Sequence, residues 1–358
     1  MKSRLNFKHL LVVIILPFVS LSTIAGTPEA PATQTSGQEK VEQLKAEIRK
    51  QPQNTKLVVK LAEEFYAQKD YQKVTLLLWK NIDKIDRNAI LLLARAHEAR
   101  GETGDMIRAL NNLVSKDEKD AEAYSLLGNA YTMQKKPKEA LENYKLAIEA
   151  NPKLEPPYRA LLKMYEDRTP PNYYEMRILA QDMIDNIGKR ADFLEILCDV
   201  NTKDSTYDAG VTSCKETIQA DSKRASAYVN LGLNMKGMGD DDKAKTTLKK
   251  AATDFPKSEF AQYTYGRLLE DDKSSIEAMK YYKVGTEADP KSARSWLGLA
   301  TTSFEIKKYE VAFIAYKNAC KYDKKNAVAF RRATTVLRNS RNSEWTGKFE
   351  SASENCTF

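Results

Sequence analysis

The 358-residue chain reads as all-α, an α-solenoid of about eight antiparallel helix pairs closed by a C-terminal capping helix. Three observations carry this reading. Apolar residues recur at helical spacing, as in AYSLLGNAY, where Tyr124, Leu127 and Tyr131 share one helix face. The pattern returns every 34 or 36 residues, the mark of a repeat architecture. With only 12 Pro and 14 Gly, long disordered tracts are not expected.

The N-terminus, MKSRLNFKHLLVVIILPFVSLSTIAG, has a basic start at Lys2, Arg4 and Lys8, an apolar run from Leu10 to Val19, and small residues around Thr23 and Ala25. This order predicts a secretory signal peptide over 1–25. The run is short for a membrane span, which needs about 20 residues, and no Cys follows the cut for a lipid anchor. Removal takes three of 57 basic residues and none of the 49 acidic ones, leaving a formal +5 spread along alternating charges. That is little for nucleic acid, and no stable membrane insertion is expected after cleavage. The polar segment 26–37 reads as a flexible leader. Val41, Leu44 and Ile48 mark an amphipathic cap helix within 38–54.

The repeats occupy 55–326. From Tyr124 the first column runs Ile90, Tyr158, Leu194, Tyr228, Gln262, Trp296 and Phe330. Three residues later come Leu93, Leu127, Leu161, Leu197, Leu231, Tyr265, Leu299 and Ala333. The next column is mostly small: Ala94, Gly128, Leu162, Cys198, Gly232, Gly266, Ala300 and Thr334. In the second helix a small column (Met106, Ala140, Ala180, Gly210, Ala244, Ala278, Ala312) precedes a larger one (Leu110, Tyr144, Ile184, Cys214, Leu248, Tyr282, Tyr316). Pro152, Pro256 and Pro290 close units. Units begin near Thr55, Arg87, Ala121, Glu155, Ala191, Ala225, Glu259 and Ala293. A capping helix over 327–341 and a tail over 342–358 follow. Glycine inside a helix costs about 0.5–1 kcal/mol against alanine; Gly128 is expected to offset this by letting its helix approach Ala140 of the partner.

This pattern resembles the tetratricopeptide repeat, most fully over Ala121–Leu154. The resemblance implies a right-handed superhelix whose first helices line a concave groove for a protein or extended peptide. Some relatives clamp a terminal carboxylate with Lys and Asn. Asn129 stands at one such place, but Ser125 stands where the Lys is needed, so that clamp is not expected here. Positions one and five after each anchor are expected to face the groove: Leu91 and Arg95, Ser125 and Asn129, Arg159 and Lys163, Glu195 and Asp199, Val229 and Leu233, Tyr263 and Arg267, Leu297 and Thr301, Arg331 and Thr335. Asn129, Arg159, Lys163, Glu195, Asp199, Tyr263 and Arg267 are the candidate contacts, with Arg159 and Lys163 meeting the acidic part of a mixed-charge peptide.

No catalytic constellation emerges. His9 leaves with the signal, and His97 lies on a packed face. There is no HExxH, CxxC or phosphate-binding loop, and Gly237-Met238-Gly239 falls at a helix-to-helix turn. Acidic runs at Asp240–Asp242 and Glu270–Asp272 lack calcium-loop spacing. No metal, cofactor, nucleic acid or small-molecule substrate is expected. The reading is a non-catalytic protein-binding scaffold of the cell envelope, periplasmic or else secreted. A structural subunit assembling through its ends and an enzyme with an unrecognised site remain the rivals. An oxidising compartment permits disulfides, and four cysteines allow three connectivities. Cys198 and Cys214 lie at one level of the same helix pair in facing columns, which favours their pairing. Cys320 then joins Cys356 and pins the tail.

Overall fold

A computed structural model describes residues 32–356, with side chains from residue 37. The signal peptide and the first residues of the leader lie outside the described residues. Nineteen α-helices and one 3₁₀ turn (Lys324–Asn326) account for the regular structure described, without a strand. The described residues divide into two compact units, one ending at Ala89 and the other beginning at Ile90.

The first unit holds α1 (Ala32–Lys50), α2 (Thr55–Ala67) and α3 (Tyr71–Trp79). α1 begins within the stretch read as a flexible leader, so that expectation is corrected from residue 32 onward. Val41 and Leu44 of α1, Leu61, Ala62 and Phe65 of α2, and Val74 and Leu78 of α3 are buried. α4 (Arg87–Arg100) starts at the end of this unit and continues into the next.

The second unit continues with α5 (Thr103–Val114), α6 (Ala121–Met133), α7 (Pro137–Ala150), α8 (Glu155–Glu166), α9 (Tyr173–Asn186), α10 (Ala191–Lys203) and α11 (Tyr207–Ala220). Then come α12 (Ala225–Gly237), α13 (Asp241–Asp254), α14 (Glu259–Asp271), α15 (Ser275–Ala288), α16 (Ala293–Glu305), α17 (Tyr309–Tyr322), α18 (Ala327–Asn339) and α19 (Ser343–Glu354). The first helices of the repeats begin at the residues where the sequence pattern restarts. The tail is not a simple extension: α19 packs on α18 as a further pair. Its start is capped by Asn342, whose side chain accepts from the Trp345 N–H at 3.3 Å. Phe349 anchors it, fully buried with ring centroids 5.4 Å from both Phe313 and Phe330.

Two recurring turns cut the chain into helices. Within a repeat, the first helix ends on a left-handed residue: Lys69, Gly101, Lys135, Ser205, Gly239, Lys273, Lys307 and Arg341 all have φ between 55° and 82°. The next N–H then bonds back to a carbonyl five residues earlier, as in Lys136 to Tyr131 and Lys308 to Ser303. This closure satisfies carbonyls the helix end would otherwise leave unpaired. Gly239 is such a residue, so its GxG is a helix stop. The α8–α9 connection has no such residue and is longer, carrying Pro170 and Pro171. Between repeats, a carboxylate or amide side chain accepts the N–H two residues on. Asp117, Asn151, Asp221, Asp289 and Asp323 do so at 2.9–3.0 Å. This is the local turn such side chains favour.

The small column has a different partner from the one the sequence suggested. A Cβ on Gly128 would run into the ring of Tyr144, not Ala140. The same holds for Gly232 against Leu248 and Gly266 against Tyr282. A small residue on the first helix thus receives a large one sixteen positions later on the second. Cys198 and Cys214 occupy this same pair of places. They are bonded, with their Cα atoms 4.8 Å apart, and both are fully buried. Cys320 and Cys356 are also bonded, with Cα atoms 6.0 Å apart.

Gly128→Ala is expected to destabilise by roughly 1–3 kcal/mol, since overpacking outweighs the gain in helix propensity. Urea unfolding checks this, and Gly128→Ala with Tyr144→Leu is expected to recover most of the loss. Reducing the Cys198–Cys214 bond, which closes a loop with a sequence separation of 16, is expected to cost about 3 kcal/mol. Non-reducing peptide mapping checks the pairing. Four free thiols or a Cys198–Cys320 link would contradict it.

Candidate partner-binding cleft

Neighbouring first helices touch along the second unit, α6 with α8, α10 with α12, α12 with α14 and α14 with α16. An open cleft of about 460 Å³ lies between α8, α10 and α12. The repeat from Glu155 to Ala191 is 36 residues long against the usual 34, and its bulky Leu162 sits in the small column. Leu162 and Met176 from one side, and Ile196 and Val200 from the other, give the cleft an apolar floor.

Four of the seven candidate contacts meet in this cleft: Arg159 and Lys163 on the α8 wall, Glu195 and Asp199 on the α10 wall. Asn129 lies outside it. Its amide donates to Glu98 and accepts from the Tyr144 hydroxyl, each at 2.9 Å. Tyr263 and Arg267 also lie outside. The Arg294 guanidinium sits 4.7 Å from the Tyr263 ring centroid, and Arg267 pairs with Glu270 at 3.4 Å. The one-and-five rule fails for Leu91, Ser125 and Val229, which are buried against neighbouring helices. It also misses Ser226 and Asn230 on α12, which line the cleft. Ile196 and Val200 share a face of α10 with Glu195 and Asp199 and line the cleft beside them.

The charges of the cleft are already matched. Arg159 bonds Glu155 at 2.5 Å and Asp192 at 2.7 Å. The Glu155 bond first, then Asp192, holds its guanidinium above the ordinary range. Lys163 bonds Asp167 at 2.6 Å, and Asp199 bonds Lys203 at 2.7 Å. Glu195 is held by Arg224 and Ser226 from the next repeat. A similar clasp recurs at Glu259, which accepts from Ser292 at 2.6 Å and Arg294 at 3.0 Å. Burial alone would raise the Glu259 carboxyl; Arg294 and the hydroxyls of Ser292 and Ser295, which also donate to it, outweigh burial and hold the group low. The cleft therefore offers an apolar floor between rims of both signs. That suits an extended peptide carrying one apolar side chain and mixed charges.

His97 is buried, and its Nδ1 lies 2.8 Å from Glu102. Arg100 binds the other oxygen of Glu102 at 2.7 Å. Together, Arg100 first, they hold the Glu102 carboxyl at about 2. His97, Glu102 and Asp105 are close enough to share a cation, but Arg100 and Arg108 already neutralise the two carboxylates. The arrangement fastens the α4–α5 turn.

Residues 121–154 and 226–258 each match a family model described as tetratricopeptide repeat. These two stretches are thus similar to the tetratricopeptide repeat, a repeat that generally binds protein or peptide partners. No curated protein matches this chain. Among solved structures it is similar to the crystal structure of the yeast Tom70, at 13% identity and a TM-score of 0.47, over 90% of this chain and 86% of that one.

Because the folded Glu102 ionises well below its ordinary 4.5, its contribution is complete above that value and is lost as pH falls toward about 2. The melting-temperature advantage of the wild type over Glu102→Gln is expected to hold above about pH 5 and to shrink from there to about pH 2. A constant difference would show that the Arg100–Glu102–His97 bonds do not fasten this turn.

Proposed function

We propose that the protein is a non-catalytic scaffold of the cell envelope that captures an extended, mixed-charge peptide segment of a partner protein. One observation carries this reading: the α8–α10 cleft combines an apolar floor with charged side chains of both signs on first helices. An apolar anchor between polar rims is the usual anatomy of a binding surface. Because the rim charges are internally paired, a partner exchanges one set of ion pairs for another. Its charges then select register and partner more than they add affinity. The envelope setting rests on the signal-like N-terminus and on the cysteine pairs, which suit an oxidising compartment. The periplasm fits best.

Blocking the floor with Ile196→Arg and reversing the rim with Lys163→Glu tests the cleft. Lys163 and Ile196 are not buried, so the melting temperature is expected to stay within a few degrees. Partner recovery after in-cell crosslinking is expected to fall on the order of tenfold, equivalent to about 1.4 kcal/mol. Crosslinks confined to the two ends of the array, with recovery unchanged, would favour the end-assembling structural subunit instead.

A further inference from the structure

A second cavity, of about 590 Å³, opens between α17 and α19 beside the 3₁₀ turn, away from the cleft. Its floor is apolar: Phe313, the buried Phe330, and the buried Cys320–Cys356 bond. Four lysines ring it, Lys317 and Lys321 from α17, Lys324 from the 3₁₀ turn and Lys348 from α19. Helical spacing puts them there. Residues 313, 317 and 321 lie on one face of α17, and 348, 352 and 355 on one face of α19.

The charge state of this ring differs from that of the cleft. Among the described residues no carboxylate lies within 4.0 Å of any of the four ammonium groups, whereas Arg159 and Lys163 each have such partners. Two acidic groups near the cavity are engaged elsewhere. Glu350 binds Arg338 at 3.0 Å, and Asp323 accepts the backbone N–H of Lys325 at 2.9 Å. Aromatic faces hold two of the lysines instead: Lys317 lies 5.4 Å from the Phe313 centroid and Lys348 4.3 Å from that of Trp345. All four lysines are exposed.

We infer that this cavity is a second binding site, for an acidic peptide segment that inserts one apolar or aromatic side chain between the four lysines. The floor requires the apolar group, since a bare anion would leave Phe313 and Phe330 uncovered. The ring requires negative charge, because clustered like charges repel until an anion joins them. Ammonium groups on flexible stems adapt to carboxylates at varied positions along a peptide. The lysines enclose one cavity and do not form a track, which disfavours a nucleic-acid strand.

The probe is a fluorescein-labelled heptapeptide of alternating Asp and Glu around a central Phe, followed by fluorescence anisotropy with the full-length protein. Saturable binding is expected, weakened by raising salt from about 50 to about 300 mM. Lys321→Ala with Lys324→Ala is expected to weaken it roughly tenfold. Lys321→Arg with Lys324→Arg should retain it, and Ile196→Arg with Lys163→Glu should leave it unchanged, which separates this site from the cleft. Unaltered melting curves show that the variants fold. The proposal is overturned if the wild type shows no saturable binding, if the alanine variant binds as well, or if a central-Gly peptide binds as tightly. Tighter capture of a dodecathymidine strand or of phosphatidylglycerol vesicles would overturn it as well.

Discussion

The fit between a small residue on one helix and a large one sixteen positions later on the next sets the geometry of each repeat. Where the small residue is Gly128, Gly232 or Gly266, the large partner lies directly over the backbone. The two helices can then lie close enough to bury the leucine column beside them. Each pair still has an apolar flank that only the next pair can cover, so burial passes from neighbour to neighbour. At Cys198 and Cys214 the same two places are joined covalently. This happens in the repeat where Asn201 replaces an aromatic residue, next to the 36-residue repeat. The bond does there what side-chain packing does elsewhere.

The cleft lies where the longer repeat meets the next. There the part-exposed Ile196 sits beside the buried Leu162, Met176 and Val200. Around it, polar clasps run from one repeat to the next: Arg190 to Glu155, Arg224 to Glu195, Arg294 to Glu259. Exposed ion pairs contribute little individually. Recurring near the starts of successive first helices, they help fix how one first helix sits on its neighbour.

Helix starts were legible because the anchor columns and the turn chemistry coincide, and both are local. The target of the small column was not. Columns show which positions face inward but not which opposite side chain fills the space, so Ala140 was a reasonable partner until the ring of Tyr144 took it. Groove positions were half legible. Arg159, Lys163, Glu195 and Asp199 meet as spacing suggests, yet Leu91, Ser125 and Val229 do not, because their flank is covered by the adjoining helix. The helix at Ser343–Glu354 was hidden because it falls past the last full period, and its single strong signal, Phe349, has no counterpart to repeat. Pairing of charges was beyond reach altogether: Lys163 and Lys321 look alike as letters, and only the fold shows which has a carboxylate beside it.

The Cys320–Cys356 bond joins residues 36 apart in sequence and encloses all of α18 and α19. It thereby holds α19 to α17 at the high effective concentration of an intramolecular partner. The two walls of the lysine cavity are joined by a covalent tie as well as by packing, so a ligand entering it meets walls that cannot part beyond the reach of one disulfide.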